Sequence, residues 1–303
     1  MLGGGGSGSS SSSSRPPPHT LLLGTLPSRA SHASDQYYGH KDNAFWWIVG
    51  DALGFRRGGP QSGGGEMGAA AAWPAQWGAK AGGGGGMRLP PKSILAALLP
   101  CRGHGGGSAP PVLTYAAQLG RLTDAGYALW DVLGAARVRN SDDGSISKAA
   151  SAPNDVRGLL ERTPTLRRLV FASGMASARL FVQHNRAWLL AGAPPRTGTE
   201  HTGAAPGSAA AASASWRFVM ADDDATRACF GRVLCGANDR VAACSAAAAA
   251  LGGRPPGRDS PPPRVVELVV PPSVSPACAK QTYAQKRDAW LRLVFVGSGS
   301  DDD

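Results

Sequence analysis

Four short apolar runs, spread through a 303-residue chain and separated by helical patterns, set what this sequence can fold into. They cover 20–23, 127–133, 168–172 and 265–270. Each is too short for a helix, rich in β-formers, and largely apolar on consecutive positions, as in strands covered on both faces. Helical spacing fills the stretches between them. Residues 43–55 place Phe45, Trp46, Ile48, Val49, Ala52 and Leu53 on one face. Helices are also predicted over 112–125, with Gly126 as a stop, over 155–162 behind Asn154 as N-cap, over 176–188 and over 283–293. Strand–helix alternation predicts an α/β fold with a parallel, doubly wound sheet and right-handed crossovers.

Much of the remaining sequence is poor core material. The 42 Gly and 24 Pro are concentrated with Ala and Ser in blocks. Such blocks bury too little apolar surface to offset chain entropy. Residues 1–16 are predicted to be a disordered tail, about 57–111 and 189–263 low-complexity inserts, and 298–303 an acidic tail. The remainder, roughly 150 residues, suits one domain spanning 17–297. Long surface insertions between elements cost only logarithmically in loop entropy.

The formal charge of +10 invites a nucleic-acid reading. Half of that excess lies within 56–111, where six Lys/Arg face one Glu. The five Cys form no CxxC pair, and their odd number argues against a disulfide framework and for a reducing compartment. Cys229 and Cys235, with His201, Asp222, Asp223 and Asp224 upstream, match no common zinc spacing. No apolar run reaches membrane-spanning length. The Ser-rich, acid-poor N-terminus has the composition of a transit peptide, although Arg15 is its only basic residue.

The segment that follows the first run carries the chemistry. After Gly24 comes a polar loop with Pro27 and several Ser, then Tyr37, Tyr38, His40, Asn43, Phe45 and Trp46. A strand feeding a helix through such a loop puts its polar groups at the carboxyl edge of the sheet, where open α/β folds bind ligands. Two aromatics with an amide and an imidazole suit a flat, hydrogen-bonding ligand such as a nucleobase.

Seven segments in order carry a resemblance: GTLPSRAS (24–31), QYYGHKDNAFW (36–46), GYALWDVL (126–133), SDDGSI (141–146), PNDV (153–156), LVFASG (169–174) and PPSVSPA (271–277), joined by Lys286 and Trp290. Together they resemble the uracil-DNA glycosylase superfamily, and most closely its hypoxanthine-DNA glycosylase (DNA-deoxyinosine glycosylase) branch. The resemblance implies a three-layer α/β/α sandwich around a short, mostly parallel four-stranded sheet. It implies a monofunctional glycosylase that flips a deaminated base, hypoxanthine first, out of double-stranded DNA and hydrolyses its N-glycosidic bond. It implies a monomer with no cofactor, no metal and no membrane. A repair role implies the nucleus; the N-terminal composition points to a mitochondrion or chloroplast.

Residue by residue, many superfamily members carry a catalytic Asn or Asp two positions after the first Gly. Here that position is Leu26, which activates no water, and the branch uses the Asn of its YY…NAFW motif, which is Asn43. An Asn carbonyl oxygen orients water rather than deprotonating it; Asn43 also reads as the N-cap of the helix that starts there. Tyr38 and then Phe45 are the base-stacking candidates, with His40 and Ser173 as further base contacts, whereas Trp46 reads as buried helix face. Ser31, Ser273 and Ser275 are candidates for the DNA backbone, and Val274 or Ala277 for the wedge that fills the vacated stack. Ser28 stands where the motif has Gly, Pro271 where uracil-type members have His, and Ser173 where the branch often has Asn. The alternatives are a glycosylase preferring uracil, a non-catalytic nucleic-acid-binding protein on a degenerate glycosylase fold, and a small-molecule α/β enzyme. The last lacks a Gly-rich phosphate fingerprint after the first strand.

Overall fold

The computed structural model describes residues 15–58, 110–138, 146–191, 216–234 and 263–295. Residues 1–14 of the predicted N-terminal tail, the acidic tail, most of 57–111, most of 189–263 and part of the SDDGSI segment lie outside them. Five parallel strands form one sheet: β1 (Thr20–Gly24), β4 (Tyr127–Asp131), β7 (Arg168–Phe171), β8 (Trp216–Met220) and β9 (Arg264–Val269). Their spatial order is β4-β1-β7-β9-β8. The chain therefore leaves β1 to one side for β4 and crosses to the other side for β7, so the topological switch lies between β1 and β7.

The α/β class and the layered plan hold, with five strands instead of four. The added strand, β8, and the helix α6 (Asp224–Leu234) fall inside the stretch read as the 189–263 insert. Two features masked β8. It is an edge strand, and only Trp216 and Phe218 of its five residues are buried, so it alternates rather than showing a continuous apolar run.

Successive β1 side chains divide the core, as the two-residue strand period requires. Leu21 and Leu23 join Leu169, Phe171, Val266 and Leu268 on one face. That face is covered by α4 (Val156–Arg162), α5 (Met175–Ala191) and α6 through Leu160, Phe181, Leu189 and Phe230. Leu22, Val170 and Val269 join the other face, under α2 (Phe45–Leu53), α3 (Tyr115–Asp124) and α7 (Tyr283–Leu293). Three helices on each side make the α/β/α sandwich.

Several boundaries moved for local reasons. Residues 112–113 are not helical: β3 (Val112–Leu113) pairs with β2 (Arg56–Arg57), and Thr114 caps α3 by accepting the Ala117 N–H. Asp155 rather than Asn154 caps α4, accepting the Gly158 N–H at 2.8 Å. The second apolar run ends as a sheet strand at Asp131. Beyond it, β5 (Leu133–Val138) turns into an antiparallel hairpin with β6 (Ile146–Pro153). A further short helix, α1 (Arg29–Ser34), lies in the loop after β1.

Candidate active site

The singled-out loops follow the carboxyl ends of β1, β7 and β9. Helix α1 closes the first turn of the β1 loop. Ser28 caps it, accepting the Ser31 N–H at 3.2 Å, which gives this departure from the motif's Gly a structural role. The Ser31 hydroxyl accepts the Gly39 N–H at 3.2 Å and is buried. Ser31 therefore staples the loop from inside. Leu26 packs against the apolar core on the α5 side.

The next turn presents Tyr38 with φ of +55°, a left-handed conformation that a tyrosine adopts only when its surroundings over-determine it. They do so here. The Tyr37 N–H donates to the Tyr115 hydroxyl at 3.0 Å, and the Trp46 indole N–H donates to the Tyr37 carbonyl at 2.8 Å. The Tyr38 ring stacks on Phe45 with centroids 4.1 Å apart. Phe45 is itself 1% exposed, with Trp46 and Trp290 edge-on to it. Phe45 is thus the platform beneath Tyr38 and not a surface a ligand reaches. Trp46 is buried as read from the sequence.

His40 and Asn43 complete this loop. The Asp42 N–H donates to His40 Nδ1 at 3.2 Å, so the neutral ring carries its proton on Nε2. The Asn43 carbonyl oxygen Oδ1 accepts the Phe45 N–H at 2.9 Å. A backbone donor at that distance identifies the facing atom as oxygen. Asn43 is therefore a cap-like Asx turn at the start of α2, with Oδ1 retaining a second lone pair.

The other two loops are bound to this one. Val274 accepts the Ala44 N–H at 3.0 Å and donates its own N–H to Ala172 at 3.1 Å, bridging the start of α2 to the end of β7. It is 1% exposed, so Val274 is a core residue and cannot serve as an inserted wedge. Ala277, in the same loop, is exposed. Ser173 is half-buried in the turn after β7, and Gly174 follows it at φ of +64°. A Cβ on Gly174 would lie 3.1 Å from the Ser273 nitrogen, so the two loops are in direct backbone contact. Ser273 and Ser275 each accept a backbone N–H two residues ahead, at 3.2 and 3.3 Å. Each hydroxyl keeps its own proton to donate. Helix α7 holds this loop from below: the Trp290 indole N–H donates to the Pro272 carbonyl at 2.7 Å, and the Lys286 ammonium to the Ser275 carbonyl at 3.1 Å. Burial lowers the Lys286 pKa from its ordinary value.

Two residues that sequence reading passed over belong to this site. Asp131 ends β4 opposite Gly24 and is 5% exposed. Its carboxylate lies directly over Gly24, beside the Tyr38 hydroxyl. Burial raises Tyr37 to about 12, and the nearby Asp131 charge adds to the shift. The Asn154 amide N–H donates to the Asp131 carbonyl at 2.9 Å, which fixes the strand end. Asp131 was legible only as an acidic residue inside the apolar run 127–133. The second residue, Arg57, is 4% exposed and donates to the Gly39 and His40 carbonyls at 3.1 and 3.3 Å. It fell at the edge of a stretch read as low-complexity.

No cluster of three or more metal-ligating side chains occurs among the described residues. Asp223 caps α6 through Thr226, and Asp222 and Asp224 pair with Arg227. Cys235 and His201 lie outside the described residues. No described helix is long and apolar enough to cross a membrane.

No family model and no curated protein matches the chain. Among solved structures, it is similar to the solution NMR structure of a protein from Methanosarcina acetivorans named as a candidate uracil DNA glycosylase. The identity is 24%, over 56% of this chain and 70% of that one, with a TM-score of 0.33.

Proposed function

We propose that this protein is a monofunctional DNA glycosylase that removes a deaminated base, hypoxanthine first, from double-stranded DNA. One observation carries the reading: a conformationally strained tyrosine and a buried carboxylate meet at the carboxyl end of β1, in a loop that also carries an amide and an imidazole, and a serine-rich loop whose two hydroxyls each keep a proton to donate is hydrogen-bonded to it. A flipped base needs an aromatic face, polar groups for its edge, and a grip on the phosphates beside it.

In this reading the Tyr38 face turned away from Phe45 stacks on the base. Asp131, an acceptor-only group when ionised, takes the ring N–H that hypoxanthine and uracil share. Its negative charge also favours the cation-like sugar that forms as the bond breaks. The Asn43 Oδ1 lone pair left over from its Phe45 bond orients the water that attacks C1′. His40, with its proton on Nε2, donates to the departing base or a flanking phosphate, and Ser173 borders the base. Ser273 and Ser275 donate to phosphates, and Ala277 is the small exposed residue at the wedge position. The protein acts as a monomer, and the nucleus is the compartment that fits the reaction.

The test is a labelled duplex carrying one deoxyinosine, treated with alkali after incubation, with uracil and xanthine duplexes alongside. Strand cleavage at the lesion is expected, with Asn43→Ala slower by on the order of 100-fold. Absence of product on every duplex would sink the enzymatic reading, and tight lesion binding without product would favour a non-catalytic binder. Equal rates for the two proteins would remove Asn43 from the chemistry.

A further inference from the structure

Adjacent arginines on a two-residue strand point opposite ways, and both are buried. Arg56 pairs with Asp51 of α2 at 2.7 Å, with both side chains 2% exposed or less. Arg57 turns instead toward the loop after β1, where its two terminal nitrogens take two consecutive carbonyls, Gly39 and His40. Burying a guanidinium is costly unless its donors are used. A rigid fork matched to neighbouring carbonyls fixes both peptide planes at once, which a single-point lysine ammonium cannot do.

Those planes flank His40 on either side, directly after the strained Tyr38. The His40 carbonyl also accepts the Asn43 N–H at 3.1 Å. One guanidinium therefore holds, through a single turn, the backbone that carries both His40 and Asn43. The strand that carries it is pinned on its other side, where Leu113 accepts the Gly58 N–H at 2.9 Å.

We propose that Arg57 is the positioning residue of the site, holding the Tyr38–Asn43 turn so that the His40 imidazole and Asn43 amide are aimed before substrate arrives. The proposal rests on the glycosylase reading, and its test separates the two. In the full-length protein, Arg57→Lys keeps the charge and one of the two bonds, and Arg57→Met keeps the volume and neither bond. Long-range proton–nitrogen NMR, assigned against His40→Gln, reads the His40 tautomer without any substrate. Single-turnover base release and affinity for the deoxyinosine duplex are measured beside it.

The native ring is expected to be protonated on Nε2, with a mixture of tautomers in Arg57→Met and a smaller change in Arg57→Lys. Base release is expected to fall about 100-fold in Arg57→Met and less in Arg57→Lys, with duplex affinity within about threefold, because misplacement by about 1 Å costs rate more than binding. An unchanged release rate in a folded variant overturns the proposal, whatever the tautomer shows. Should Arg57→Met not fold, the Arg57→Lys comparison decides. Should the native protein release no base, the glycosylase reading falls, and the tautomer comparison alone decides whether Arg57 aims this loop.

Discussion

A single methyl group on Gly24 would test the site with little disturbance to the fold. Gly24 lacks the positive φ of Gly54, Gly126 and Gly174, so its backbone suits alanine. The new Cβ would overlap the Asp131 carboxylate and lie 3.2 Å from the Tyr38 hydroxyl, tighter than ordinary contact. Side chains, and not backbone, must give way. Alanine restricts the unfolded chain and stabilises by about 0.4–1 kcal/mol. Overpacking a tight spot costs about 1–3 kcal/mol. The net loss is at most about 2.6 kcal/mol, which a domain of about 5–15 kcal/mol survives. The carboxylate and hydroxyl, however, shift by about 1 Å, and rate falls on the order of 100-fold. Urea denaturation and single-turnover base release from a deoxyinosine duplex measure the two effects. In an Asp131→Ala background the overlap disappears, so Gly24→Ala should cost at least about 1 kcal/mol less there, a coupling typical of contacting residues. A native release rate with an intact fold, or no coupling, would refute this account of the floor of the site.

Three further outcomes are expected. Gly174→Ala forces an alanine to φ of +64° and crowds the Ser273 backbone, so a loss of about 1–2 kcal/mol in urea is expected, with weakened duplex binding in a gel-shift assay. Asp51→Asn strands the buried Arg56 guanidinium and should cost about 3–5 kcal/mol, with Asp51→Asn/Arg56→Met recovering much of it; an unchanged urea midpoint would count against a tight pair. At high pH, burial raises Tyr37 to about 12 and also raises Tyr115, Tyr127 and, well above its ordinary value, Tyr283. The native state keeps protons that the unfolded state releases above about pH 10, so stability falls from there through about pH 12. Tyrosinate absorbance at 295 nm should lag free tyrosine and rise with unfolding; full titration near pH 10 with the fold intact would contradict it.

The fold was legible where local signals agreed. Helix α7 runs over the stretch its spacing indicated, and Thr282 closes a capping box with Gln285 at its start. The fully buried β1 reads as a strand because both its faces are covered. What stayed hidden depended on partners distant in sequence. Arg56 and Arg57 look like solvent-facing residues until Asp51, Gly39 and His40 are folded around them. Phe45 and Val274 look like ligand contacts in a one-dimensional loop and turn inward only because α2 and the last loop close over β7. Asp131 shows no sign of its position until β4 pairs with β1 and sets it opposite Gly24.

The two-residue pairing of β2 with β3 has an engineering consequence. It brings residue 58 and residue 113 within one hydrogen bond, so the ends of everything between them are joined by the fold itself. Once such ends are tied, doubling the tethered length adds only about 0.6 kcal/mol of closure entropy. This clasp is therefore a graft point: a foreign module with closely spaced termini could replace the intervening sequence while the register of β2 is kept.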